Sequence, residues 1–118
     1  MPATLSPGPA TRLTVYVKVN AHWHHRSVHT EIVHRAHAAG LAGASVFRGD
    51  EGFGRSETIH SPHLFSLNGE SPCAIVIVDS DERIRAFLPQ LEEILDDGIA
   101  FVEPVEVVRY VGRQDGVA

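Results

Sequence analysis

One run of residues, Pro72-Cys-Ala-Ile-Val-Ile-Val78, constrains this chain more than any other. It is apolar throughout, rich in β-branched side chains, and stops at Asp79. A run this short falls far below the ~20 residues a helix needs to cross a membrane. Its branched residues favour a strand, and the lack of alternation predicts one covered on both faces, hence central in its sheet. The single cysteine, Cys73, lies inside it, cannot close an intramolecular disulfide, and reads as a core residue.

The other elements follow by pattern. Arg12 to Val19 alternates Leu13, Val15, Val17 and Val19 with Thr14, Tyr16 and Lys18, the period of a half-buried strand. Val28 to Ala39 places Val28, Ile32, Val33 and Ala36 near helical spacing, and Gly40 supplies a stop. Gly43 to Phe47 returns to a strand pattern. Asp79, with Glu82 three residues on, has the spacing of a capping box and opens a helix whose apolar stripe is Ile84, Phe87, Leu88, Leu91 and Leu95. Pro89 inside that helix predicts a bend or two shorter pieces. Ile99 to Tyr110 reads as the last strand, with Pro104 marking an edge position or a bulge.

The order is strand, helix, strand, strand, helix, strand. That predicts an α+β chain of the ferredoxin-like double split βαβ type, an antiparallel sheet with two helices on one face. The other face, bearing Tyr16 and Phe47, has no helix to cover it, so an oligomer is expected. At 118 residues and 43% hydrophobic content the chain fits one domain, residues 12–110, between a disordered tail, residues 1–11, and a C-terminal tail, residues 111–118. The first eleven residues lack the positive cluster and apolar core of a secretory signal, and the expected place is the cytoplasm.

A ferredoxin-like domain hosts many functions, so residue chemistry has to decide. A soft-metal site would need paired cysteines, which the chain lacks, and an RNA-binding sheet exposed aromatics on its central strands, of which Pro72 to Val78 has none. Ten Lys and Arg against fifteen Asp and Glu, a net charge of −5, exclude a nucleic-acid partner. Eight histidines invite a metal reading, with His22, His24 and His25 as candidates, although no fixed ligand motif accompanies them. His29, His34 and His37 fall on the polar side of the first helix pattern and need only solvent. Glu51, His60 and Asp79 are the best acid–base candidates, but Asp79 is accounted for as a cap and no nucleophile accompanies the others. The expectation is a protein that is not an enzyme and has no cofactor. A metal-responsive protein using the His-rich loop, or a small hydrolase or isomerase built on Glu51 and His60, are the alternatives. Residues 50–62 form a long connection whose Arg55 and glycine backbone amides, together with the preceding Arg48, would make an anion cradle.

Ala39-Gly-Leu-Ala-Gly-Ala44, Arg48-Gly followed by Glu51-Gly-Phe-Gly54, Ile59-His60, Ile77-Val-Asp79, Phe87-Leu-Pro-Gln-Leu91 and Val105-Glu-Val-Val-Arg-Tyr110 occur in an order that resembles the DUF190 (UPF0166) family of PII-like proteins. The resemblance spans Arg12 to Tyr110. It implies a homotrimeric regulatory subunit that holds a small anionic ligand, usually an adenine nucleotide in PII relatives, in clefts between neighbours. Family genes often lie beside a fluoride-exporter gene, which implies a membrane transport protein as partner. Carried over residue by residue, it implies ligand-binding roles for His24, Arg26, Arg48, Gly49, Glu51, Gly52, Phe53, Gly54, His60 and Arg109. The chain departs from the pattern at Ser27, where proline is usual, and at His25, where glycine is common. The turn Asp96-Asp-Gly-Ile99 also replaces a glycine-rich, lysine-containing phosphate loop, and its two acids would repel phosphates.

Overall fold

The structure, a computed structural model, describes residues 5–49 and 71–111. In chain order these form β1 (Gly8–Lys18), β2 (His22–Trp23), β3 (Arg26–Ser27), α1 (Val28–Ala38), β4 (Ala44–Arg48), β5 (Pro72–Asp79), α2 (Asp81–Ile94) and β6 (Ile99–Val107). The main sheet is antiparallel, in the order β4-β5-β1-β6, and β2 pairs with β3 in a separate hairpin. The expected architecture is present, with β5 central and the Pro104-bearing β6 at an edge. An edge tolerates proline because amides on its outer side bond nothing within the sheet. The ladder runs through Pro104, opposite Thr11, without a bulge.

Opposed residues in an antiparallel pair share a face, so the register sorts the side chains. Leu13, Val15 and Val17 of β1 lie opposite Ile77, Ile75 and Cys73 of β5. These six are buried and form the core with Val28, Ile32 and Ala36 of α1 and Ile84, Phe87, Leu91 and Ile94 of α2. On the other face Tyr16, Phe47, Ile99 and Phe101 are exposed, while Ala74, Val76 and Val78 are only half-buried. The continuous apolar run is therefore covered on one face within the chain, not on both.

Several local expectations are corrected. β1 starts at Gly8, not Arg12, so residues 8–11 of the expected tail are sheet, paired with Val107 back to Pro104. β6 ends at Val107, short of Tyr110. α2 is one helix through Pro89, which is exposed. Its cap is Ser80, whose hydroxyl accepts the Arg83 backbone N–H at 3.2 Å. Asp79 instead ends β5 with no exposed surface, accepting the Ala42 N–H at 2.8 Å and the Ser80 N–H at 2.7 Å and pairing with Arg83 at 3.3 Å. The capping-box spacing misled because Asp and Ser are both good caps and adjacent; burial of the first leaves the second at the helix entrance. At the other end of α2, Gly98 has φ +149, and a Cβ there would meet the Tyr16 carbonyl oxygen at 2.3 Å, so only glycine turns the chain into β6.

Urea unfolding should separate the two roles. Ser80→Ala should cost about 1 kcal/mol, an ordinary cap loss. Asp79→Ala should cost about 3 kcal/mol or more, because it leaves the Ala42 and Ser80 amides without their acceptor and the Arg83 guanidinium without its carboxylate. Equal losses for the two variants would return Asp79 to a simple capping role.

Candidate functional site

The charged side chains collect where β1 and β4 end and α1 begins. Arg48 closes β4 opposite Cys73, so it leaves the sheet on the face that α1 covers. Gly49 follows and donates its N–H to the Pro72 carbonyl at 2.9 Å. A Cβ on Gly49 would lie 2.8 Å from Pro72 Cγ, so the glycine is required by close packing of the two strand ends. The first turn of α1 brings His29 to the same corner. The hairpin brings His22, which is paired in register with Ser27, the residue before α1.

The electrostatics of this corner are one-sided. His29 is half-buried, and its pKa is held below the usual histidine value by that burial, then by the Arg48 charge and by His22. Burial also raises the Cys73 thiol pKa, an effect the Arg48 charge partly offsets. The His22 Nδ1 lies 2.6 Å from the Asn20 carbonyl oxygen, which can only accept, so that nitrogen carries the proton. The Ser27 side chain makes no capping bond to α1. Among the described residues no carboxylate pairs with Arg48 or His29.

The neighbouring basic residues are neutralised. Glu31, in the first turn of α1, takes Arg26 at 2.8 Å and Arg35 at 2.8 Å, and Arg35 also reaches Glu93 of α2 at 2.9 Å. Those bonds, Arg35 first, hold the Glu31 carboxyl below its ordinary pKa. Arg35 lies over the Trp23 ring, 4.8 Å from its centroid, and His24 stacks on the same indole at 4.0 Å.

The residues carried over by resemblance are thus partly gathered. His24, Arg26, Arg48 and Gly49 share one end of the sheet, with Arg26 tied into the Glu31 network. Arg109 follows β6, whose last residue pairs with Gly8, and so lies at the opposite end. Glu51, Gly52, Phe53, Gly54 and His60 lie outside the described residues. His25 and His24 occupy the hairpin turn at φ 70 and 48, the left-handed region where the family's common glycine would sit without strain. His22, His24 and His25 do not converge, and no group of three metal-ligating side chains occurs among the described residues. His29 is the residue that helical periodicity misplaced: it does not merely face solvent but is half-buried, and the charges of Arg48 and His22 act on it. No local signal reveals this, because its neighbours come from other elements.

Residues 10–107 match the DUF190 family, described as "Uncharacterized ACR, COG1993". The chain belongs to that family. Two UPF0166 proteins of Aquifex aeolicus (strain VF5) are similar to this DUF190 chain. One is 35% identical over 77 residues, 65% of this chain and 72% of the relative; the other is 29% identical, over 65% and 80%. Among solved structures, a PII-like signaling protein from Thermus thermophilus superposes with a TM-score of 0.62 at 18% identity, covering 88% of this chain and 94% of that one. CPII from Thiomonas intermedia K12, bound to ADP and bicarbonate, superposes at 0.54 with 22% identity, over 90% and 95%. The DUF190 chain therefore has the PII-like ferredoxin fold. No helix among its described residues is long and apolar enough to span a membrane.

The charge reading of the corner is open to direct measurement. His29 titrates below the ordinary value partly because Arg48 repels its proton, so Arg48→Met should raise the His29 midpoint toward 6.5 in an NMR titration. An unmoved midpoint would place Arg48 too far away to matter. The linkage sign follows: with a lowered folded pKa, neutral His29 contributes stability above the unfolded value of about 6.5, lost as pH falls through the folded one.

Proposed function

We propose that this protein is a cytoplasmic PII-like regulatory subunit, without enzymatic activity, that binds a small anion at the Arg48 corner and signals its occupancy to a partner. The observation that carries the reading is the Arg48 guanidinium itself. It projects from the rigid end of β4, beside His29 and next to the close-packed Gly49, with no carboxylate partner among the described residues. A guanidinium so placed offers a planar fork of donors suited to phosphate or carboxylate. CPII, which shares the fold, is bound to ADP with bicarbonate, and in another structure to ADP, AMP and bicarbonate. An adenine nucleotide is accordingly the first ligand to test here. The expected partner is a membrane transport protein, as the family resemblance implies.

A homotrimer belongs to the same reading. The open sheet face carries Tyr16 stacked with Phe101 at 6.1 Å, together with Phe47 and Ile99, an apolar patch that water covers at a cost. The Arg12–Glu103 ion pair lies on this face as well. Assembly through it also supplies what one chain lacks, since Arg109 lies a sheet's length from Arg48 and reaches such a site only from a neighbouring copy.

Light scattering should give three times the chain mass at micromolar concentration; a monomer would remove the intersubunit cleft. In calorimetric titrations with ADP, Arg48→Lys should weaken binding by on the order of tenfold, because the charge survives while the two-pronged contact is lost. The ligand-free melting temperature and the trimer should stay unchanged. An ion pair from Arg48 to a neighbour's Glu106 would instead lower that melting temperature and leave affinity alone.

A further inference from the structure

The flank of α2 and the edge of the sheet meet in a groove of about 300 Å³, lined among others by Leu88, Leu91, Glu92 and Leu95 of α2 and by Ala100 and Val102 of β6. It exists because α2 packs on β1 and β5, leaving Leu88, Leu95, Ala100 and Val102 only half-buried. The main chain of β6 adds a second feature. Along an antiparallel strand, successive residues turn their N–H and C=O first to one neighbour and then to the other. Pro104 has no N–H, yet keeps the ladder with β1 unbroken opposite Thr11, so its position is one whose polar groups point away from β1. Ala100 and Val102 share that parity. Their N–H and C=O groups therefore point outward, on the side of β6 where no strand pairs among the described residues, while their side chains line the groove.

Charge selects the occupant. Residues 86–108, which span the later turns of α2 and all of β6, hold six Asp and Glu and no Lys, Arg or His. The chain's net charge of −5 is therefore concentrated on this flank. Glu93 and Glu103 take Arg35 and Arg12, while Glu92 stands in the groove wall and Glu106 shares the parity of Ala100 and Val102 further along β6. The same acids repel the β6 edge of a second copy, which bears identical charges. We propose that this groove docks an extended, basic segment of a partner protein, which adds to the sheet as a fifth strand beside β6.

Main-chain bonds to Ala100 and Val102 supply affinity, alternate apolar side chains of the segment fill the groove, and its Lys or Arg residues meet the flanking acids. Pro104 offers an outward acceptor but no donor, so full pairing ends there and the recognised stretch is short. An acidic segment is rejected by repulsion. The groove lies at the opposite edge of the sheet from β4 and Arg48, so this docking goes beyond the anion-binding reading and does not depend on it.

The test is fluorescence anisotropy of a labelled heptapeptide, Lys-Thr-Val-Thr-Val-Thr-Lys, titrated with the full-length protein, beside the same peptide with both valines N-methylated. The valines are the residues that pair with Ala100 and Val102, and N-methylation removes their donors while keeping their side chains. The N-methylated peptide should bind about tenfold more weakly or worse. Glu92→Lys should weaken the unmodified peptide about tenfold and leave the melting temperature of the free protein unchanged. Amide exchange at Ala100 and Val102 should slow when the unmodified peptide is bound. No binding of that peptide, or equal binding of the two peptides, would overturn strand addition at β6. Binding that emerges only after residues 112–118 are removed would assign the groove to this chain's own C-terminal segment. A smaller assembly for Glu92→Lys in light scattering would assign it to a neighbouring copy, and either result would overturn the partner.

Discussion

The pairing of β1 with β5 is the constraint on which the rest of the molecule depends. Leu13, Val15 and Val17 meet Ile77, Ile75 and Cys73 on the face that both helices cover. A slip of one residue in β1 would turn Leu13, Val15 and Val17 outward and bring Arg12, Thr14 and Tyr16 under α1 and α2. The same register fixes β4, because Val46 lies opposite Ile75 and Arg48 opposite Cys73. Arg48 is therefore delivered to the helix side of the sheet end, where α1 begins. With the parity of β4 reversed it would emerge on the open face, the side of Ala74, away from α1.

Charge is distributed unevenly around that frame. Arg26 and Arg35 share the buried carboxylate of Glu31, and Arg35 reaches across to Glu93, so the basic residues that dock the hairpin and α2 onto α1 are internally compensated. Among the described residues no carboxylate pairs with Arg48 or His29. An uncompensated cation is costly when buried. The chain meets this by leaving Arg48 in solvent and keeping His29 neutral. A net charge of −5 coexists with a locally positive corner, so net charge excludes a long polyanion without excluding a small one.

Periodicity made most of the fold legible. Alternation identified β1, the unbroken apolar run identified a central β5, and the i, i+3, i+4 stripes identified the helices; Pro104 correctly placed β6 at an edge. What periodicity could not supply was context. Asp79 and Ser80 are equally plausible caps on paper, and only the burial of the first at the end of a strand separates them. Residues 8–11 read as a Pro- and Ala-rich tail because their reason for being ordered is Pro104 to Val107, nearly a hundred positions away. The β2–β3 hairpin has two residues per strand, too few to alternate, and its turn lacks the Asn-Gly signal that would have announced it. The place of Arg48 at a strand end beside glycine was legible in the sequence, whereas His29 was assigned to solvent because a helical wheel locates the core face, not the flank that meets another strand's end.

That hairpin is a local conflict resolved by tertiary contacts. Two non-glycine residues in the left-handed region, His24 at φ 48 and His25 at φ 70, cost on the order of 1 kcal/mol each relative to extended backbone. Nothing in the two-residue strands themselves offsets this, since a hairpin of this size is unstable alone. The compensation comes from outside: His24 stacks on Trp23, Arg35 covers the same indole, Arg26 pairs with Glu31, and the Val28 N–H bonds the Ala21 carbonyl at 2.9 Å where the hairpin joins α1. Each of these contacts fixes the hairpin against α1, and fixing it there sets the position of His22 next to His29. The strained turn and the cationic corner are thus one arrangement: the contacts that hold the turn in place also determine how much positive charge His29 experiences, and so how far its proton affinity lies from that of a free imidazole.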